Sequence, residues 1–309
     1  MKLAFVFPGQ GSQAVGMLKG YDGLPEIAKV IDQAGQVLGI DFVRLMDHGP
    51  GEALNLTVNT QPAMVTAGYA VYRAWRALGG PEPELVAGHS LGEYTALTAA
   101  GALEFTDALP LVRFRAQSMQ EAVPEGNGAM AAILMLDDAL VHAACAEAGG
   151  EVQAVNFNAP GQVVIAGETQ AVERAMENCK ARGAKRAMPL PVSAPFHSTL
   201  MRPAADKLAG YLAKVDVMAP RIPVINNVDV AIVEQPAAIK QALVRQAASP
   251  VRWVETIQKM VEMGATHIVE CGPGRVLAGM TKRIAPQVQS LSLAERASVE
   301  AALATLKGG

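Results

Sequence analysis

The stretch "LVAGHSLGEYTALTAAGAL", residues 85–103, sets a four-residue apolar run against a longer helical pattern, with one tight polar turn between them. The spacing predicts a buried strand, a sharp bend and a helix. Gly88-His89-Ser90-Leu91-Gly92 fits G-x-S-x-G in the strand-to-helix context that this pattern demands. Glycines two residues either side of Ser90 let strand and helix approach closely, which holds the serine out at the sheet's edge. Leu91 then opens the helix, where backbone N–H groups lack internal partners and the dipole favours negative charge. A glycine-flanked serine in an ordinary β-α turn is the competing explanation; the strand-to-helix context favours a nucleophile.

Working outward, "KLAFVF" (2–7) and "THIVECGPGRVLAGMTKRI" (266–284) repeat the order of short buried strand, glycine turn and helix. Strands alternating with helices in this way indicate a mostly parallel sheet covered on both faces, an α/β-hydrolase-like arrangement. The middle of the chain differs. "GAMAAILML", "DDALVHAACAEAG", "EVQAVNF", "GQVVIAG", "ETQAVERAMENCKARG" and "KRAMPL" read as strand, helix, strand, strand, helix, strand. That β-α-β-β-α-β order is ferredoxin-like. Residues 128–189 are therefore expected to form a small inserted domain, and 1–127 with 190–309 a large α/β catalytic domain.

Composition bounds the function. The chain has 309 residues, half of them hydrophobic and 18% charged, so it can bury a large core and is not disordered. Its formal net charge of −3 provides no broad basic field for nucleic acid. No apolar run approaches the roughly 20 residues needed to span a bilayer, and no secretory leader pattern is present. No membrane association is expected, and a cytoplasmic location is. Cys145, Cys179 and Cys271 are widely spaced and form no C-x-x-C pair, as expected of reduced thiols. No metal site is expected.

The opening "LAFVFPGQGSQAVG" (3–16) also satisfies G-x-G-x-x-A from Gly9, the weak form of a dinucleotide fingerprint. The residues that follow offer no second strand ending in an acidic residue about 20 positions on, which argues against it.

A serine hydroxyl needs a base to take its proton, and the chain has five histidines. His48 lies in the polar turn "MDHGPG" and His142 on a predicted helix of the insert, both read as surface residues. His267 begins a strand, and His89 is carried on the elbow itself and would point elsewhere. His197 remains, in the loop "LPVSAPFHSTLM" (190–201) where the insert returns to the main domain, a place that commonly carries function. On the helix "DALPLVRFRAQSMQEA" (107–122), Arg113 and Arg115 are two apart and project about 200° from one another, so only one can face the site.

The motifs "FPGQGSQ", "NTQPA", "GHSLGEY", "FRAQSMQEA", "NAPGQVVIAG", "APFHS", "SPVRW" and "ECGPGRVLAGMTKRI" occur in the order found in malonyl-CoA:acyl-carrier-protein transacylases. The chain resembles the stand-alone enzymes of bacterial fatty acid synthesis from about Phe5 to Ile284, and is similar to acyltransferase domains of polyketide synthases. The resemblance implies Ser90 as the acylated nucleophile and His197 as its base. It places the oxyanion hole at the backbone N–H groups of Gln10 and Leu91, the main-chain carbonyl of Gln246 behind His197, and Arg115 inward to pair with the free carboxylate of malonate. Gln61, after the possible helix caps Asn59 and Thr60, takes a supporting place. Asn158 reads either as cleft lining or as a capping or turn residue. Phe196 resembles the bulky residue of malonyl-selective polyketide acyltransferases.

The reaction implied is ping-pong transfer of malonyl from malonyl-CoA to the phosphopantetheine thiol of acyl carrier protein, by a monomer without a cofactor. Arg182, Lys185, Arg186, Arg202 and Lys207 are candidates for a basic carrier-docking face, with a solvated face as the plainer reading. A serine thioesterase would share Ser90 and His197 without needing Arg115, and a non-catalytic carrier-docking module would need none of these.

Overall fold

The computed structural model describes residues 1–192 and 194–307. Its strands are β1 (Leu3–Phe7), β2 (Leu85–Gly88), β3 (Gly128–Leu134), β4 (Val152–Ala159), β5 (Gln162–Glu168), β6 (Arg186–Pro189), β7 (Val224–Ile225), β8 (His267–Glu270) and β9 (Gln289–Ser292). They form two sheets. The first has the order β7-β2-β1-β8-β9 with every neighbouring pair parallel. The second has the order β4-β5-β3-β6 with every pair antiparallel. Its two helices, Asp138–Ala148 and Thr169–Ala181, complete the ferredoxin-like arrangement.

Side chains of β1 alternate between two cores, as a strand period of two requires. Leu3, Phe5 and Phe7 enter one core with Met64, Val71, Trp75 and Leu97, while Ala4 and Val6 enter the other with Trp253, Ile257, Met260 and Leu277. Phe5 meets Trp75 edge-on with ring centroids 5.5 Å apart. Every residue of β1 and β2 is buried, so neither strand has a solvent face.

The second sheet also divides its residues. Ala131, Ile133, Val163 and Ile165 pack under its own helices, whereas Met130, Val155, Val164 and Ala166 join the core that contains Phe5. β4 is stitched to the large part of the molecule by main-chain hydrogen bonds from Phe157 N to Val251 O (3.0 Å) and from Val251 N to Val155 O (2.8 Å). The residues of the second sheet thereby stand over the carboxyl end of the first.

The turn after β2 is compressed to the limit that glycine allows. A Cβ on Gly88 would lie 1.8 Å from the Gly92 carbonyl carbon, and one on Gly92 would lie 2.0 Å from Phe7 O. Ser90 sits at φ 52, a left-handed conformation that a non-glycine residue adopts only under constraint. The helix Gly92–Ala99 follows at once, with every residue buried.

One sequence expectation is corrected. The helix containing "NTQPA" runs Thr57–Ala77 and is entered from Leu56 without a side-chain cap. Asn59 and Thr60 lie inside its first turns, where Asn59 Nδ2 donates to Ala53 O at 2.9 Å and Thr60 Oγ1 donates to Leu54 O at 2.6 Å. They anchor the helix to the short helix Gly51–Asn55 before it instead of capping it.

Candidate active site

A cleft of about 120 Å³ opens between the two sheets. Its floor is the elbow, with His89, Ser90 and Leu91, and the opening loop brings Gln10. Helix Thr57–Ala77 brings Gln61, helix Phe105–Glu121 brings Arg115 and Met119, and the return loop brings Phe196 and His197. The second sheet and its exit contribute Met130, Asn156, Leu190 and Val192.

His197 Nε2 lies 2.6 Å from Ser90 Oγ, and its Nδ1 lies 2.9 Å from Gln246 O. A main-chain carbonyl can only accept, so Nδ1 carries the proton and the lone pair of Nε2 faces the serine hydroxyl. His197 is 3% exposed and sits at φ 65, fixed in part by Ser198 Oγ donating to Pro195 O at 2.7 Å. Burial, then the Arg115 charge, push its pKa down to about 3, so the imidazole is neutral throughout the neutral range. Only the neutral form accepts a proton. The acid limb of kcat/KM is therefore expected below pH 5, with no loss of activity as pH falls through 6.5; a limb near 6.5 in the pH profile would contradict this environment.

The opening loop packs directly on the elbow. A Cβ on Gly9 would lie 2.4 Å from His89 O and 3.7 Å from Leu91 N, so only glycine lets the peptide leading to Gln10 come this close to the Leu91 amide. Leu91 itself is the N-cap of the elbow helix. The Gln10 side chain is held by helix Thr57–Ala77, its Oε1 accepting from Thr57 Oγ1 at 2.8 Å.

Arg115 is 2% exposed while Arg113 is on the exposed side of the helix, as the 200° separation requires. Its Nη1 donates to Gln61 Oε1 at 2.8 Å and its Nη2 to Gln246 Oε1 at 3.1 Å and Ser90 Oγ at 3.3 Å. The guanidinium lies 5.4 Å from the Tyr94 ring, and its Nε has no hydrogen-bond partner. Among the described residues no carboxylate forms an ion pair with it. A buried cation held by neutral acceptors alone is costly, and an anion entering the cleft relieves that cost. Gln61 belongs to the same chain of contacts, its Nε2 donating to Thr57 Oγ1 at 3.2 Å.

His89 points away from the serine hydroxyl, with Nε2 2.7 Å from Asn158 Oδ1 and its ring edge-on to Trp253. Asn158 is thus a partner of His89. His48 and His142 are exposed. Of the basic candidates on the surface, Arg182 pairs with Glu147 and Lys207 with Glu121, while Lys185, Arg186 and Arg202 are exposed.

Beyond the apolar lining, two residues of the hydrogen-bond network around Ser90 are not apparent from the sequence. Asn227, fully buried, accepts from Ser90 N–H through Oδ1 at 2.7 Å and donates through Nδ2 to Gly88 O at 2.7 Å. Glu93, 2% exposed, accepts from Asn227 N–H and from Gln246 Nε2, both at 2.9 Å. Burial pushes the Glu93 carboxyl up to about 7 against the pull of these two hydrogen bonds. The contrast of one carboxylate in the otherwise apolar run "GEYTALTA" was the available signal for Glu93; "NNVD" offers none for Asn227.

A serine on a strained strand-to-helix elbow, a neutral imidazole aimed at it and helix-terminal amides beside it define a nucleophilic acyl-transfer site. Residues 4–307 match the acyl transferase domain model, and the chain belongs to that family of acyltransferases. The chain is 53% identical over 305 residues to the malonyl CoA-acyl carrier protein transacylase of Escherichia coli (strain K12), covering 98% of this chain and 99% of that protein. A solved acyl-carrier-protein S-malonyltransferase from Burkholderia pseudomallei superposes with a TM-score of 0.97 at 62% identity, covering 98% of this chain and 100% of that one. A malonyl-transacylase solved in complex with a type II PKS acyl-carrier protein superposes with a TM-score of 0.97 at 50% identity, covering 99% and 100%. Among the described residues no helix is long and apolar enough to cross a membrane, and no group of three or more His, Cys, Asp or Glu could hold a metal ion.

Proposed function

We propose that the protein transfers malonyl from malonyl-CoA to the phosphopantetheine thiol of acyl carrier protein, through malonyl-Ser90, in fatty acid synthesis. The observation that carries the choice of acyl group is Arg115, a buried guanidinium beside the nucleophile with only neutral partners in contact. A planar fork of N–H donors matches the free carboxylate of malonate. Relatives named for malonyl transfer support the same reading.

Ser90 Oγ attacks the thioester carbon as its proton passes to His197 Nε2. The oxyanion is received by the N–H groups of Leu91 and Gln10; losing one such donor typically costs on the order of 3 kcal/mol of barrier. The coenzyme A thiolate leaves and takes the proton from His197. The carrier thiol then gives its proton to His197, attacks the malonyl ester and restores the serine. Gln246 O keeps the imidazole in the working tautomer but stabilises its cation less than a carboxylate does. This suffices because a thioester is an activated donor and a thiolate needs little acid help to leave.

Residues 128–189 act as a small domain that roofs the cleft over residues 1–127 and 190–309, and the working unit is a monomer needing no cofactor. With malonyl-CoA and carrier both varied, initial rates are expected to give parallel double-reciprocal lines. Intersecting lines would indicate direct transfer in a ternary complex and contradict the acyl-serine route.

A further inference from the structure

Glu93 stands one turn beyond Ser90 and is the sole carboxylate of helix Gly92–Ala99. Its Oε2 receives both the Asn227 N–H and Gln246 Nε2. From those two residues contacts reach the serine, the imidazole and the guanidinium. Asn227 clamps the elbow on both sides of the bend, at Ser90 N and Gly88 O. Gln246 donates through Nε2 to Ser90 O at 3.0 Å, accepts from Arg115 through Oε1, and accepts from His197 Nδ1 through its main-chain oxygen. Resting on the acyl-transfer reading above, we infer that Glu93 is the positioning residue of this site, its single accepting oxygen fixing the Gln246 amide and seating Asn227 so that serine, imidazole and guanidinium keep their mutual register.

A side-chain amide has two unlike edges, one of which donates and one of which accepts. Glu93 Oε2 and Ser90 O both present oxygen to Gln246, so the NH₂ group must turn to them. Oε1 is then left for Arg115. A flipped amide would set NH₂ against the guanidinium and carbonyl against two oxygens. Ser90 and His197 both hold positive φ, a conformation that persists only where the surroundings over-determine it, and Asn227 and Gln246 are those surroundings. The oxygen is placed as an acceptor for two neutral amides; its charge also reaches Arg115 through space, and the two variants below separate the two effects. Burial, which favours the protonated carboxyl, agrees with the acceptor role.

Glu93→Gln keeps an acceptor oxygen at the same reach and loses the charge, whereas Glu93→Asp keeps the charge and withdraws the oxygen by about one methylene, roughly 1.5 Å. Glu93→Gln is expected to stay within about threefold of the parent kcat/KM, and Glu93→Asp to lose about tenfold or more with malonyl-CoA and less with acetyl-CoA, because Arg115 loses its aim. Both variants are checked for a cooperative thermal transition. The opposite order, Asp active and Gln impaired, would assign the role to charge and overturn the inference, as would equal loss for both acyl groups or no loss in Glu93→Asp. Failure of the parent protein to transfer malonyl at all would contradict the functional reading instead, and the Gln-against-Asp order would then be read on acylation of Ser90 by acetyl-CoA.

Discussion

Replacing Ser90 by alanine is expected to lower malonyl transfer by about 10⁴-fold or more, with the fold retained. The substitution removes one oxygen. That oxygen holds the His197 hydrogen bond and a 3.3 Å contact from Arg115, but the elbow itself is held by main-chain groups: Ser90 N–H on Asn227 and Ser90 O on Gln246. Alanine and serine meet the same steric limits at φ 52, so no new strain is introduced. The main-chain amides of Leu91 and Gln10, proposed above as the oxyanion donors, would remain and would assist only uncatalysed exchange between thiols. Steady-state transfer rates with a thermal melt check this; a variant keeping a tenth of the parent rate would show that the acyl group does not pass through Ser90.

Removing the guanidinium should produce the second large effect, and it should depend on the acyl group. For Arg115→Ala, kcat/KM with malonyl-CoA is expected to fall by about 10²–10³-fold, a charge-assisted bidentate pair lost from a buried site, while acetyl transfer stays within about threefold or improves. Arg115→Lys is expected to recover little of the malonyl activity, since an ammonium is a point charge and cannot present two parallel N–H bonds to a carboxylate. The buried Gln61 Oε1 and Gln246 Oε1 each lose a donor in the alanine variant, which lowers stability and makes the comparison of two acyl groups in one preparation the informative measurement. Equal losses for both would mean that Arg115 works on the serine and on Gln246, and does not recognise the substrate's carboxylate. The low pKa of His197 gives a linked expectation: without the neighbouring cation the acid limb of kcat/KM moves to higher pH.

The parts of this site that were legible in the sequence are those written into local spacing. Glycines at 88 and 92 flank the serine, apolar runs of strand length lead into glycine turns, and the six elements of residues 128–189 follow one another without interruption. The position of Arg115 relative to Arg113 followed from helical phase once the family resemblance had said which of them faces inward. What escaped depends on chain-distant contacts. Asn227 meets Ser90 across 137 positions and follows β7, a strand of only two residues that has no periodicity to read. β9, "QSLS", is polar because it is an edge strand, and so lacks the apolar run by which β1 and β2 announce themselves. Gln246 was assigned for its main-chain carbonyl, yet its side chain ties three elements together, which no local pattern reveals. Glu93 lies within the quoted elbow motif itself, but a carboxylate's burial is a property of what packs over it, here Asn227 and Gln246.

If malonyl rests covalently on Ser90 between leaving one thiol and reaching the next, the acyl-enzyme can be labelled and mapped. The protein is mixed with radiolabelled malonyl-CoA, freed of excess reagent, digested and mapped, and a second portion is given carrier protein bearing its phosphopantetheine thiol. Label is expected on the peptide containing Ser90, persisting in water and passing to the carrier thiol when it is added. Label released to water at once, label on another residue, or no label on a protein that still transfers malonyl would contradict the malonyl-Ser90 intermediate.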